Sequence, residues 1–246
     1  MSIQLNRIKR VNNQIDSVIA DLRDTARRLE VSMNQLLAQG NAGGGTVDVA
    51  LARANVERLL VESGYYEVTG SLLDSTYQSF IDGAHAAYQK QYGKSLQYSD
   101  VSMKRLDQIR ALDADNFNTI AADNINQLQK VMLDYQFGAI DLQQASARIA
   151  QVMGPDFERY SETVIRATAS AFDREASNLM ATDAGLDMFE FVGPDDQVTS
   201  PECEVDLARG PMPWSYWEER VNKGGYPVVT YGNHVNCRHS VVPVVP

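Results

Sequence analysis

Apolar residues recur over the first forty positions in steps of three and four: Ile8, Val11, Ile15, Val18, Leu22, Ala26, Leu29, Met33 and Leu36. A mean step of about 3.5 is the seam of a coiled-coil-like amphipathic helix. Asn, Gln, Arg and Asp fill the other faces, so the pattern predicts one long helix over 3–38. So narrow a stripe must pack on a neighbouring helix, either of this chain or of a second copy. The run Gly40-Asn41-Ala42-Gly43-Gly44-Gly45 then breaks the pattern and reads as a flexible joint. It is not a phosphate-binding loop, because no Lys-Ser/Thr follows the last glycine.

Helical spacing resumes beyond the glycines. It predicts a helix over 48–63, capped by Thr46 or Asp48 and ended by Gly64, and a longer one over Tyr65–Tyr92 closed by Gly93. Further helices are expected over 101–111 (capped by Asp100), 115–136, 142–153 (capped by Asp141) and 157–184, the last stopped by Gly185. The tyrosines at 65, 66, 77, 88 and 92 form an aromatic stripe, which packs as core or stands as a stacking surface. At Leu186 the character changes. Residues 187–192 alternate as a strand does, and 226–231 and 240–245 are further strand candidates, with Pro243 holding the last at an edge. The expected fold is therefore mainly α. A long helix (1–39), a hinge (40–45) and a helical domain (46–185) precede a small β- and loop-rich module (186–246).

Charge qualifies this picture. The chain has 246 residues and a formal net charge of −10. Residues 1–40 hold six cations (Arg7, Lys9, Arg10, Arg23, Arg27, Arg28) and four acids (Asp16, Asp21, Asp24, Glu30), a net +2, so the rest carries −12. An acidic body argues against a general basic surface for nucleic acid. A mildly basic first helix can touch phosphate or an acidic partner, or simply be solvated. Met1 leads into a polar helix rather than an apolar leader, and no stretch reaches the roughly 18 apolar residues of a membrane helix. A soluble protein made in the cytoplasm is expected.

The chemistry sits near the C-terminus. The chain has two cysteines and three histidines, and all but His85 lie between Cys203 and His239. Cys203, His234, Cys237 and His239 make a candidate Cys2His2 zinc site, since thiolate and imidazole are the ligands of tetrahedral zinc. Residues 237 and 239 face one side of an extended strand, and 234 reaches them through a tight turn. A disulfide between the cysteines, two buried small apolar side chains, or histidines that simply cap loop carbonyls are the alternatives. A segment of about 60 residues has little core of its own, and a metal staple would supply what it lacks.

The ordered set of features resembles a known family. A helix containing E-T-V-I-R-A-T-A-S-A-F-D-R-E-A leads to a strand, then G-P-D-D-Q-V-T-S-P-E-C, a Pro/Trp loop and finally G-N-H-V-N-C-R-H-S-V-V-P. This resembles the C-terminal module of the phage head-morphogenesis proteins, the Mu F-like minor head proteins. The pattern falls on Arg166, Thr168, Asp196, Thr199, Cys203, His234, Asn236, Cys237 and Arg238, over residues 155–246. The family usually ends Cys-Arg-Cys, whereas this chain has Cys237-Arg238-His239. The resemblance implies a bacteriophage minor capsid protein of the virion, portal-associated and acting in head morphogenesis. It also implies the portal protein or major capsid protein as partners, and a role in DNA packaging or ejection with weak contact to packaged DNA. Self-association through 1–39 would suit docking on an oligomeric ring. A zinc-dependent hydrolase or nuclease is the competing class, with Glu202, Glu204 or Asp206 as base, but no G-x-S-x-G, H-E-x-x-H or P-loop is present. A generic coiled-coil adaptor is the third.

Overall fold

A computed structural model describes residues 3–39, 49–93, 96–234 and 237–244. The joint expected at 40–45, the caps Thr46 and Asp48, and Asn236 lie outside the described residues. The fold is mainly α, as the periodicity predicts. Helix α1 spans Ile3–Gln39, α2 Val49–Glu62, α3 Tyr65–Ser71, α4 Tyr77–Tyr92, α5 Asp100–Gln136, α6 Leu142–Met153 and α7 Pro155–Asp183. Beyond Gly185 come strand β1 (Met188–Val192), α8 (Pro201–Leu207), β2 (Met212–Pro213), α9 (Trp214–Glu219), α10 (Val228–Tyr231) and β3 (Ser240–Pro243).

The chain forms two compact units. The first gathers Met1–Ser17, Leu73–Asp113 and Thr163–Pro246. In it, Tyr77 stacks on Phe172 at 4.0 Å and donates its hydroxyl to Asp113 at 2.7 Å. Tyr88 donates to the Ser177 carbonyl at 3.1 Å, and Tyr98 to that of Ala176 at 3.0 Å. The three strands form one antiparallel sheet of order β2-β1-β3, in which Phe191 faces Val241 and Phe189 faces Pro243. Pro243 thus stands on an edge strand, where its missing N–H costs no ladder bond. One apolar cluster joins Phe189, Phe191, Trp217 and Val241 to Tyr88 of α4 and Met180 of α7.

The second unit gathers Val18–Leu72 and Ala114–Glu162. Tyr65 donates its hydroxyl to the Phe117 carbonyl at 2.8 Å and lies 6.5 Å from the Phe157 ring. The Arg28 guanidinium grips the Ser63 carbonyl at the end of α2, at 2.8 and 2.9 Å. Asp141 caps α6 through a capping box with Gln144.

Several boundaries differ from the expectation. The helices expected at 101–111 and 115–136 are one continuous α5. No Gly or Pro interrupts Leu112-Asp113-Ala114, and Asp113 faces Tyr77 rather than capping anything. Its N-cap is Ser99, whose hydroxyl accepts the Ser102 N–H at 3.1 Å, and not Asp100. A single π-helical segment, Leu72–Thr76, separates α3 from α4. The strand expected at 226–231 is the short helix α10, because Pro227 fixes a turn and offers no ladder donor. The seam of α1 is buried from Ile8 to Met33, with Leu37 rather than Leu36 inside at its end. Tyr65, Tyr77 and Tyr88 are core, while Tyr66 stays exposed.

Candidate metal centre

Local structure delivers each donor. Ser200 caps α8, its hydroxyl accepting the Cys203 N–H at 3.3 Å, with Pro201 opening the helix. Cys203 is thereby fixed in the first turn and fully buried. The Cys237 N–H closes a turn onto the His234 carbonyl at 3.1 Å, which brings these two side chains round. Gly232 sits behind that turn at φ 71°, and a Cβ there would lie 2.6 Å from Cβ of Cys237. His239, just before β3, stacks on Phe191 with ring centres 5.2 Å apart. It lies against Gly193, where a Cβ would come 2.3 Å from its Cδ2.

Cys203, Cys237 and His239 form a buried group with ligand atoms all within 4.8 Å of one another, a group that can hold a metal ion. The two Sγ atoms are 3.7 Å apart, and both cysteines are free, so the disulfide alternative does not hold. The Cys237 Sγ lies 3.7 Å from Nδ1 of His239. The fourth residue of the expected set, His234, brings Nε2 to 3.5 Å from the Cys203 Sγ. A tetrahedral ion with sulfur and nitrogen ligands at ordinary bond lengths requires edges of about 3.8 Å (S···S) and about 3.6 Å (S···N). The spacings Cys203–Cys237, Cys237–His239 and Cys203–His234 match, but His234 lies outside the group whose ligand atoms are all within 4.8 Å, so the structure gathers three of the four expected donors and leaves His234 beside Cys203. His239 also donates Nε2–H to the Pro194 carbonyl at 2.8 Å, which leaves Nδ1 as the lone-pair nitrogen facing the thiols.

A second layer holds the donors. Arg174 of α7, 3% exposed, gives Nε to the His239 carbonyl at 2.9 Å, Nη1 to the Thr230 carbonyl at 3.1 Å and Nη2 to the Cys237 carbonyl. Asp206 is fully buried and accepts from Arg220 at 2.8 and 3.0 Å and from Asn233 at 2.9 Å. The hydrogen bond from Cys203 pulls the Cys237 thiol well below its ordinary range, helped by His239 and the Arg174 charge. The same bond, with burial, pushes Cys203 up. The pair therefore readily yields one thiolate, and the nearby guanidinium stabilises it.

The remaining motif positions divide. Arg238 makes a two-pronged ion pair with Asp196, at 2.7 and 3.0 Å. Thr199 closes the Asp196 turn, donating to the Pro194 carbonyl at 3.1 Å, the carbonyl that also receives His239. Arg166 pairs with Asp16 at 2.7 Å, and Thr168 bonds the Val164 carbonyl in its own helix. Of the acids considered as bases, Asp206 is held by two arginines and Asn233. Glu202 is paired with Lys223, which holds its carboxyl down at about 2. Arg174 was not among the expected site residues. Its trace in the sequence is Asp173-Arg174-Glu175, three charges inside an Ala-rich helix stretch that is buried on every side. No family model, curated protein or solved structure matches the chain.

Proposed function

We propose that this chain is a minor structural protein of a bacteriophage virion, associated with portal or shell and acting in head morphogenesis. Its C-terminal module is a rigid clip around one structural zinc ion held by Cys203, His234, Cys237 and His239. One observation carries the reading: motif positions far apart in sequence converge on one cluster, in which Cys203, Cys237 and His239 keep their ligand atoms within 4.8 Å of one another, His234 reaches Cys203 at 3.5 Å and Asp196 pairs Arg238 beside them. Four protein donors would fill the coordination sphere, which suits a structural ion rather than an open catalytic one. Bound there, zinc would tie α8 to Cys237 and to the root of β3. The portal protein or the major capsid protein is the partner, and weak contact with packaged DNA goes with that location. The apolar seam of α1 is buried within the chain, so self-association through residues 1–39 would use its other faces.

Quantitative mass spectrometry of purified particles, before and after DNA release, tests the assignment. Presence in low copy relative to the shell protein supports it, and absence from particles overturns it. Metal analysis of the purified chain tests the clip. About one zinc per chain, lost in Cys237→Ser, is the expected result.

A further inference from the structure

The unit that carries the metal centre has a second recess, between the first turns of α1 and the middle of α4. It encloses about 250 Å³. Arg7, Arg10 and Gln14 line it from α1 at helical spacing, and Gly83, Ala86 and Lys90 from α4. The small residues open the groove: a Cβ at Gly83 would meet nothing within 4 Å. Among the described residues no Asp or Glu lines it, on a chain whose net charge is −10.

A separate observation points the same way. Arg7 is 6% exposed, and two of its three guanidinium nitrogens are engaged. Nη1 pairs with Asp173, and Nε donates to Gln4 Oε1 at 3.1 Å. Nη2 is buried with no partner. A buried guanidinium N–H without an acceptor is costly, and a small shift of the Arg7 side chain toward the recess it lines would let an acceptor bound there relieve it. Asp173 balances the charge of Arg7, and among the described residues the exposed Arg10 and Lys90 make no ion pair, so they supply a double positive charge.

We propose that this recess binds a phosphate group, as free phosphate or a phosphomonoester. A compact dianion matches two free cations. Its several oxygens can also serve the Arg7 Nη2 and the Gln14 amide, and arginine forks favour phosphate geometry. The site does not depend on the metal or on the virion assignment. The test uses the full chain with its metal, titrated with inorganic phosphate and followed by calorimetry and by ³¹P line broadening. Two variants accompany it: Arg10→Gln with Lys90→Gln, which removes the charge, and Gly83→Met, which fills the space without changing charge. Arg7 itself is left alone because its pair with Asp173 is buried. Saturable binding by the parent, weakened about tenfold or more in both variants, is the expected result. No saturable binding by the parent, or undiminished binding by either variant, overturns the proposal. So does binding of duplex DNA that inorganic phosphate fails to displace.

Discussion

Arg174 gives its three guanidinium nitrogens to three backbone carbonyls, two of them belonging to the candidate ligands Cys237 and His239. A lysine ammonium is a point donor and cannot span them. Arg174→Lys should therefore cost about 3 kcal/mol or more and lower any metal retained per chain. Denaturant midpoints and metal analysis of the variant check this, and unchanged metal content would remove Arg174 from the site. Asp196 makes a different kind of prediction. The Arg238 guanidinium holds its carboxyl at about 2, below the ordinary 3.8. A depressed folded-state value means stability that is complete above about pH 4 and lost as pH falls through about 2. The stability difference between parent and Asp196→Asn should shrink across that window, and a difference constant from pH 5 to pH 2 would count against the pair. The Cys/His donors were legible in the sequence because four of them crowd one window, and Asp196 and Arg238 through the family resemblance. Arg174 was not, since nothing local says which helical arginine reaches a loop some sixty residues later.

Helices were legible where caps and periodicity agreed, as at α6 with its Asp141/Gln144 box, and illegible where a polar residue mimicked a stop. Asp113 resembled a boundary but serves as the acceptor of Tyr77, so α5 runs on. Glycines act at this scale in opposite ways. Gly70 lies inside α3, and a Cβ there would meet nothing within 4 Å. Gly70→Ala should stabilise the chain by about 0.5–1 kcal/mol through backbone entropy. Gly193 lies after β1, where a Cβ would strike the His239 ring at 2.3 Å. Gly193→Ala should destabilise by about 1–3 kcal/mol and displace His239, so any metal held there should fall with it. Thermal melts of the two variants should move in opposite directions. A Gly193→Ala chain with full metal content and parental stability would show that the ring has room to move.

At the scale of the whole molecule, the sequence suggested that residues 186–246 have little core of their own and that a metal staple supplies what they lack. The module is less isolated than that. Phe189, Trp217 and Val241 share their cluster with Tyr88 and Met180, and Asn178 of α7 bonds the Val229 carbonyl at 3.0 Å. Such sharing is invisible in a linear pattern, because Tyr88 and Met180 read there as ordinary positions on a helical face. It also changes what metal removal should do. If the metal only fastened a coreless tail, chelation would release amide protection after Leu186 and nowhere else. Because Arg174 and Asn178 hold the loops from α7, loss of the ion should also loosen the stretch of α7 from Phe172 to Met180. Hydrogen exchange with and without chelator distinguishes the two cases. The expected outcome is faster exchange in β1, α8, β3 and that stretch of α7, with Val18–Leu72 and Ala114–Glu162 unchanged. Exchange that quickens evenly through both units would mean that the ion stabilises the entire fold. No change at all would mean that the donors pack together without needing one.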